Sequence, residues 1–160
     1  MAMSSRSQAI AIVAGAAVAA AGMLGGATAL AHREPAVARA AHSLEVRDES
    51  HMHLVRESGS LLLEEGPATG TLPGSVKVRF NVGATVSAYF TIYARGGGSI
   101  TGHGKGALHS TGTYATFGGT LTVTGGSGRY AHAHGSGGLY GAINRRTYAL
   151  TVQTTGKLFY

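Results

Sequence analysis

The 160-residue chain carries thirteen Lys and Arg against seven Asp and Glu, for a formal charge of +6, with 26 glycines and no cysteine. The missing cysteine excludes disulfides, thiolate metal sites and cysteine nucleophiles together. All seven acids (Glu34, Glu45, Asp48, Glu49, Glu57, Glu64 and Glu65) precede Gly66, while Lys77, Arg79, Arg95, Lys105, Arg129, Arg145, Arg146 and Lys157 follow it. A one-signed segment attracts polyanions when its charges cluster. These cations are scattered over several predicted strands, which reads as a solvated exterior with no specific nucleic-acid partner.

Residues 1–31 read as a signal peptide, with Arg6 ahead of an apolar run from Ala9 to Met23 and small residues at Ala29 and Ala31. Cleavage before His32 is expected, giving a secreted protein with no membrane span left; an uncleaved anchor is the alternative, but the run lacks the Leu, Ile and Phe density of a stable span. Residues 32–43, short of large apolar groups and containing Pro35, read as a flexible leader. Residues 44–160 are then one domain with one core, since a chain of this length does not supply two.

From Leu44 onward Val, Thr, Tyr and Phe recur at period two between glycine-rich breaks, and no helix-length amphipathic run occurs. The spacing predicts strands over 44–56, 60–65, 75–82, 85–94, 98–109, 113–124, 129–143 and 147–159. Eight strands close a small barrel. In "SVKVRFNV" Val76, Val78, Phe80 and Val82 share one face and Lys77, Arg79 and Asn81 the other, so the apolar face is the lumen. The same test turns Val86, Ala88, Phe90 and Ile92 inward, then Phe117, Leu121 and Val123, then Tyr148, Leu150 and Val152. No proline follows Pro73, which leaves every later strand donor free for the ladder. The glycine clusters suit turns at positive φ, and Gly118-Gly119 predicts a bulge where a strand bends.

The stretch "FGGTLTVTGGSGRYAHAHGSG", Phe117 to Gly137, resembles the strand, glycine turn and strand of the allene oxide cyclase and dirigent-like barrel superfamily; "EEGPATGTLPGSVKV" and "TYALTVQTTGKLFY" resemble its secreted bacterial members of uncertain function. The resemblance covers about two thirds of the chain after Ala31 and rests mostly on turn and packing residues. It implies an eight-stranded antiparallel barrel whose apolar lumen holds a fatty-acid-derived epoxide in the plant cyclases and guides phenoxy radical coupling in dirigent proteins. Polar or acidic lumen residues serve those activities. No acid follows Glu65 here, and none of the family's catalytic positions carries over.

The histidines raise a metal question. His132 and His134 would project to one face of a strand, where His103 or His109 could join them, and His51 and His53 repeat the spacing. The opposite parity, Ala131, Ala133, Gly135 and Leu139, is the small and apolar one, which sends the histidines to solvent and predicts no metal site. "GSGRYA" satisfies a G-x-G-x-x-A pattern but precedes no helix and no ribose-binding acid, so no nucleotide cofactor is expected. Hydrolytic triads and paired-carboxylate chemistry lack suitably placed acids, Glu64-Glu65 reading as a strand-end charge pair.

The reading is therefore an all-β, eight-stranded antiparallel barrel, secreted and non-catalytic, with no cofactor. It binds a small apolar molecule in the lumen or serves a structural role. The lumen candidates are Phe80, Phe90, Ile92, Phe117, Leu121, Tyr148, Leu150 and Val152, with Tyr148 notable because a buried phenol needs a partner. A cofactor-free cyclase, isomerase or coupling guide is the first alternative, and a histidine metal-binding protein the second. Inward polar groups in an open cavity would favour the first alternative, and a filled core the structural role.

Overall fold

Lys77 and Arg79 are exposed while Val76, Val78 and Phe80 are 5%, 5% and 6% exposed, so the central strand of the alternation has one wet face and one dry one. That pattern, repeated around the sheet, builds a closed barrel. The computed structural model describes residues 42–110 and 112–160; the expected signal peptide and all of the leader but His42 and Ser43 lie outside them. The strands are β1 Ser43–Ser58, β2 Leu61–Gly70, β3 Gly74–Val82, β4 Val86–Ala94, β5 Ser99–Leu108, β6 Tyr114–Ser127, β7 His134–Asn144 and β8 Leu150–Phe159. Each pairs antiparallel with its sequence neighbours, and β8 returns to β1 from Ser43↔Phe159 to Met52↔Leu150, leaving no strand edge free. Among the described residues no helix is long and apolar enough to cross a membrane.

The two sides of the lumen are built differently. Strands β1 to β4 send in Met52, Leu62, Val76, Val78, Phe80, Val86 and Ala88, all buried. Opposite them, many inward positions of β5 to β8 are glycine. Phe90 pairs with Gly102, and Phe117 with Gly141. A Cβ at Gly102 would collide with the Phe90 ring and one at Gly141 with the Phe117 ring. Glycine here makes room for an aromatic ring lying across the neighbouring strand. Phe117 then meets Phe80 edge to face, with centroids 6.1 Å apart at 70°. Burying the Phe80 and Phe117 rings contributes about 1.5–3 kcal/mol each.

Several boundaries differ from the sequence expectation. The second strand does not stop at Glu65 but continues to Gly70, taking in Pro67. The β1–β2 ladder records Ser50↔Ala68 and then His53↔Glu65, passing over the place of Pro67, which has no N–H to give. Gly118 and Gly119 pair regularly on both sides. The irregularity lies further along β6, where Thr101↔Gly125 is followed by Gly102↔Val123, so Thr124 is the extra residue.

The largest correction concerns residues 129–133. They are not the start of a strand: Gly128–Tyr130 forms a single 3-10 turn, entered through Gly128 at φ +60°, and β7 starts only at His134. Strand parity therefore does not govern this stretch. Ala131 is exposed rather than inward, Ala133 is 3% exposed, and Tyr130 turns fully inside at 1%. Likewise Tyr148 precedes β8. It sits in the β7–β8 turn at φ +57°, so its position is set by that turn and not by alternation along a strand.

Candidate functional site in the barrel lumen

One end of the barrel is shut. Leu72, Ala94, Ile100, Tyr130, Ala133 and Leu158 form a buried cluster there. Tyr130 is its centrepiece: its ring lies 4.9 Å from that of Tyr160, and Arg129 Nη2 donates to its hydroxyl at 2.6 Å. A buried phenol without such a donor or acceptor would leave a polar tip stranded in the plug.

The other end holds a mouth pocket of about 330 Å³, lined by Leu62, Phe80, Val82, Val86, Phe117, Ile143 and Leu150, with Glu57, Arg145 and Tyr148 among its polar and aromatic rim. The Tyr148 hydroxyl donates to Glu57 Oε1 at 3.1 Å, and this bond pushes the phenol's pKa up. Tyr148 is the one non-glycine residue with positive φ among those described. An aromatic residue in the left-handed region is strained, and such strain persists where the surroundings over-determine it.

Deeper in lies a second cavity of about 100 Å³, lined mainly by apolar groups that include Met52, Val76, Val78, Ala88, Phe90 and Ile92. Phe80 and Phe117 line both spaces, so their edge-to-face pair is a shared partition. Of the sequence candidates, Phe80, Phe90, Ile92, Phe117, Leu121 and Val152 line the inner cavity; Tyr148 and Leu150 line the mouth.

The inner cavity also has polar walls that the sequence reading did not foresee. Asp48 and Ser50 line it, 8% and 9% exposed. The Leu72 amide donates to Asp48 Oδ1 at 2.9 Å, whereas Oδ2 is buried without a hydrogen-bond partner among the described protein groups. Burial raises the Asp48 pKa, opposed by the amides of Leu72 and Thr71. Glu64 is more extreme: it is 0% exposed, neither carboxyl oxygen has a hydrogen-bond partner among the described residues, and burial pushes its pKa up to about 7.

Glu64 and Glu65 are thus not a strand-end charge pair. They lie mid-strand on opposite faces, Glu64 inside and Glu65 outside, where Lys77 Nζ approaches Glu65 Oε2 at 3.0 Å. The signal was present in the parity: Glu64 lies two residues from Leu62, and Asp48 two from Ser50 and four from Met52.

The histidines lie outside this lumen. His132 sits in the turn after Tyr130 and His134 opens β7; both are exposed, with His134 Nδ1 3.1 Å from the His132 carbonyl oxygen and its ring stacked 5.3 Å from Phe159. Among the described residues no three His, Asp or Glu side chains gather as a metal ion would need. The carboxylate beside His51 is Glu49, at 2.7 Å on the outer wall. No family model matches this chain, and no curated protein matches its sequence.

Proposed function

We propose that this protein is an exported carrier that holds a small, largely apolar molecule in the barrel lumen without transforming it. One observation carries the reading: a mouth pocket of about 330 Å³ and an inner cavity of about 100 Å³ share the Phe80–Phe117 wall inside a closed barrel. Pockets that bury small molecules are concave and mostly apolar with few polar groups, and this lumen has that composition. The resemblance to the allene oxide cyclase and dirigent-like barrels supports the same use of the interior.

The direct test is titration with 1-octanol, a neutral chain short enough to stay monomeric at useful concentrations, followed through the methyl resonance of Met52 in the inner cavity. A saturable shift at one equivalent is expected. A shift confined to outer-wall residues would assign the lumen to packing alone and leave a structural role. Export is tested separately: mass spectrometry of the protein recovered outside the cell should give His32 as the first residue, and a full-length membrane-retained chain would reject cleavage.

A second reading, a cofactor-free cyclase or isomerase, is favoured by one observation, the inward carboxyl of Asp48 on the cavity wall. Carboxyl groups held in apolar surroundings can serve as proton donors. Turnover of an unsaturated epoxide, abolished by Asp48→Asn, would establish it over the carrier.

A further inference from the structure

The buried ionisable side chains of this barrel that carry charge are of one sign, both of them acids. Asp48 and Glu64 are buried inside it, while the cations of the later strands, Lys77, Arg79, Lys105 and Lys157, are exposed. Lys157 borders the inner cavity, but its ammonium faces the outer wall, 3.9 Å from Glu45 and 5.5 Å from the Phe159 ring. Arg145 lines the mouth pocket but is exposed at its rim, so among the described residues the buried carboxyl groups have no buried counter-charge.

Asp48 is the one of the two acids that lines the cavity, and it is half-satisfied. Oδ1 takes the Leu72 amide at 2.9 Å, and the partnerless Oδ2 belongs to a side chain more than nine-tenths buried. Ser50, two residues along the same face of β1, adds a hydroxyl. The rings of Phe80, Phe90 and Phe117 line the same cavity. A buried acceptor left open costs free energy that a bound donor recovers, and aromatic faces attract cations.

We infer that the occupant of this lumen is an apolar amine, its ammonium group bound by Asp48 Oδ2 and Ser50 in the inner cavity and its hydrocarbon body running past Phe80 and Phe117 into the mouth pocket. The inference rests on the carrier reading and specifies its ligand. The small inner cavity suits a compact head group, and the larger mouth pocket suits the tail. An ammonium pays a large desolvation cost on entering such a site, which the paired carboxylate offsets only when it is itself ionised and hydrogen-bonded, as the Leu72 amide helps Asp48 to be. A carboxylate ligand would meet Asp48 as a like charge.

The experiment compares three probes of one chain length, octylammonium, 1-octanol and octanoate, at neutral pH below their micellar concentrations, each followed through the Met52 methyl. Octylammonium should bind about tenfold or more tighter than octanol, with octanoate weakest. Asp48→Asn keeps an acceptor for the Leu72 amide but removes the charge, and should bring amine and alcohol to within about threefold of each other. The wild-type ranking decides the matter even if that variant does not fold. Equal affinities, or tighter binding of octanol or octanoate, would overturn the amine assignment and leave the carrier reading standing; so would an amine preference that survives Asp48→Asn. No saturable shift with any probe would overturn both.

Discussion

The two ends of the barrel are made from the same strands yet end differently, and a tyrosine in a tight connection marks each. At the closed end the β6–β7 connection folds inward through Gly128, and Tyr130 is buried to 1% with its hydroxyl held by Arg129. At the mouth the β7–β8 turn holds Tyr148 at the rim, half-buried, with its hydroxyl on Glu57. One turn supplies a plug, the other a lip. Whether a barrel of this size is a core or a container is thus decided by a few turn residues, the strands being common to both ends.

The contrast is broken most severely by removing the plug. Tyr130→Ala should cost about 3–5 kcal/mol in urea unfolding, as deletion of a fully buried aromatic ring does. A loss below about 1 kcal/mol would show that Leu72, Ile100 and Leu158 close that end unaided.

Glu64 comes next, as a buried carboxyl between the two ends. Its pKa stands at about 7 in the fold against an ordinary value of 4.5, so the folded state binds its proton more tightly than the unfolded chain. Wild-type stability is then undiminished by this group below pH 4.5, declines as pH rises, and carries the full penalty above about pH 7. Glu64→Gln has no charge to bury. It should gain about 3 kcal/mol over wild type at pH 8, shrinking towards nothing at pH 4, in parallel denaturation series. A pH-independent difference would mean that the carboxylate is solvated in the fold.

Smaller effects are expected at the lip. Tyr148→Gly removes the ring and its bond to Glu57 but relieves a left-handed backbone that glycine adopts freely, so the melting temperature should stay within about 3 °C. A larger drop would make the lip as structural as the plug. The smallest effect belongs to His132→Gln with His134→Gln, exposed beside the plug, which should stay within about 0.5 kcal/mol. Stoichiometric zinc in the wild-type protein, with chelator sensitivity lost in the double variant, would reverse that expectation.

How much of this was legible depended on whether each strand kept one wet face. In β3 and β4 the alternation of Val and Phe with Lys, Arg and Ser fixed the inward set without ambiguity. The inward acids were legible by the same parity, yet a carboxylate is usually assigned to water because burying one is costly, and that habit concealed Asp48 and Glu64. The stretch from Arg129 to His134 misled for another reason. Its alternation of large and small residues mimics a strand, while the turn depends on the positive φ of Gly128 and on Tyr130 finding a hole to fill. Neither is a property of local sequence.

The ladder between β1 and β8 has a kinetic consequence. Ser43 pairs with Phe159 and Met52 with Leu150, so the seam that closes the cylinder joins segments about a hundred residues apart. Each other ladder can form as a local hairpin, whereas this one brings together the two remote ends of the sheet and gains its bonds only after the intervening loop entropy has been lost. During synthesis β1 therefore waits, with its inward side chains uncovered and one edge unpaired, until β8 has left the ribosome. Among the eight ladders, this seam is the one that joins the first strand of the barrel to the last, and no local hairpin can form it.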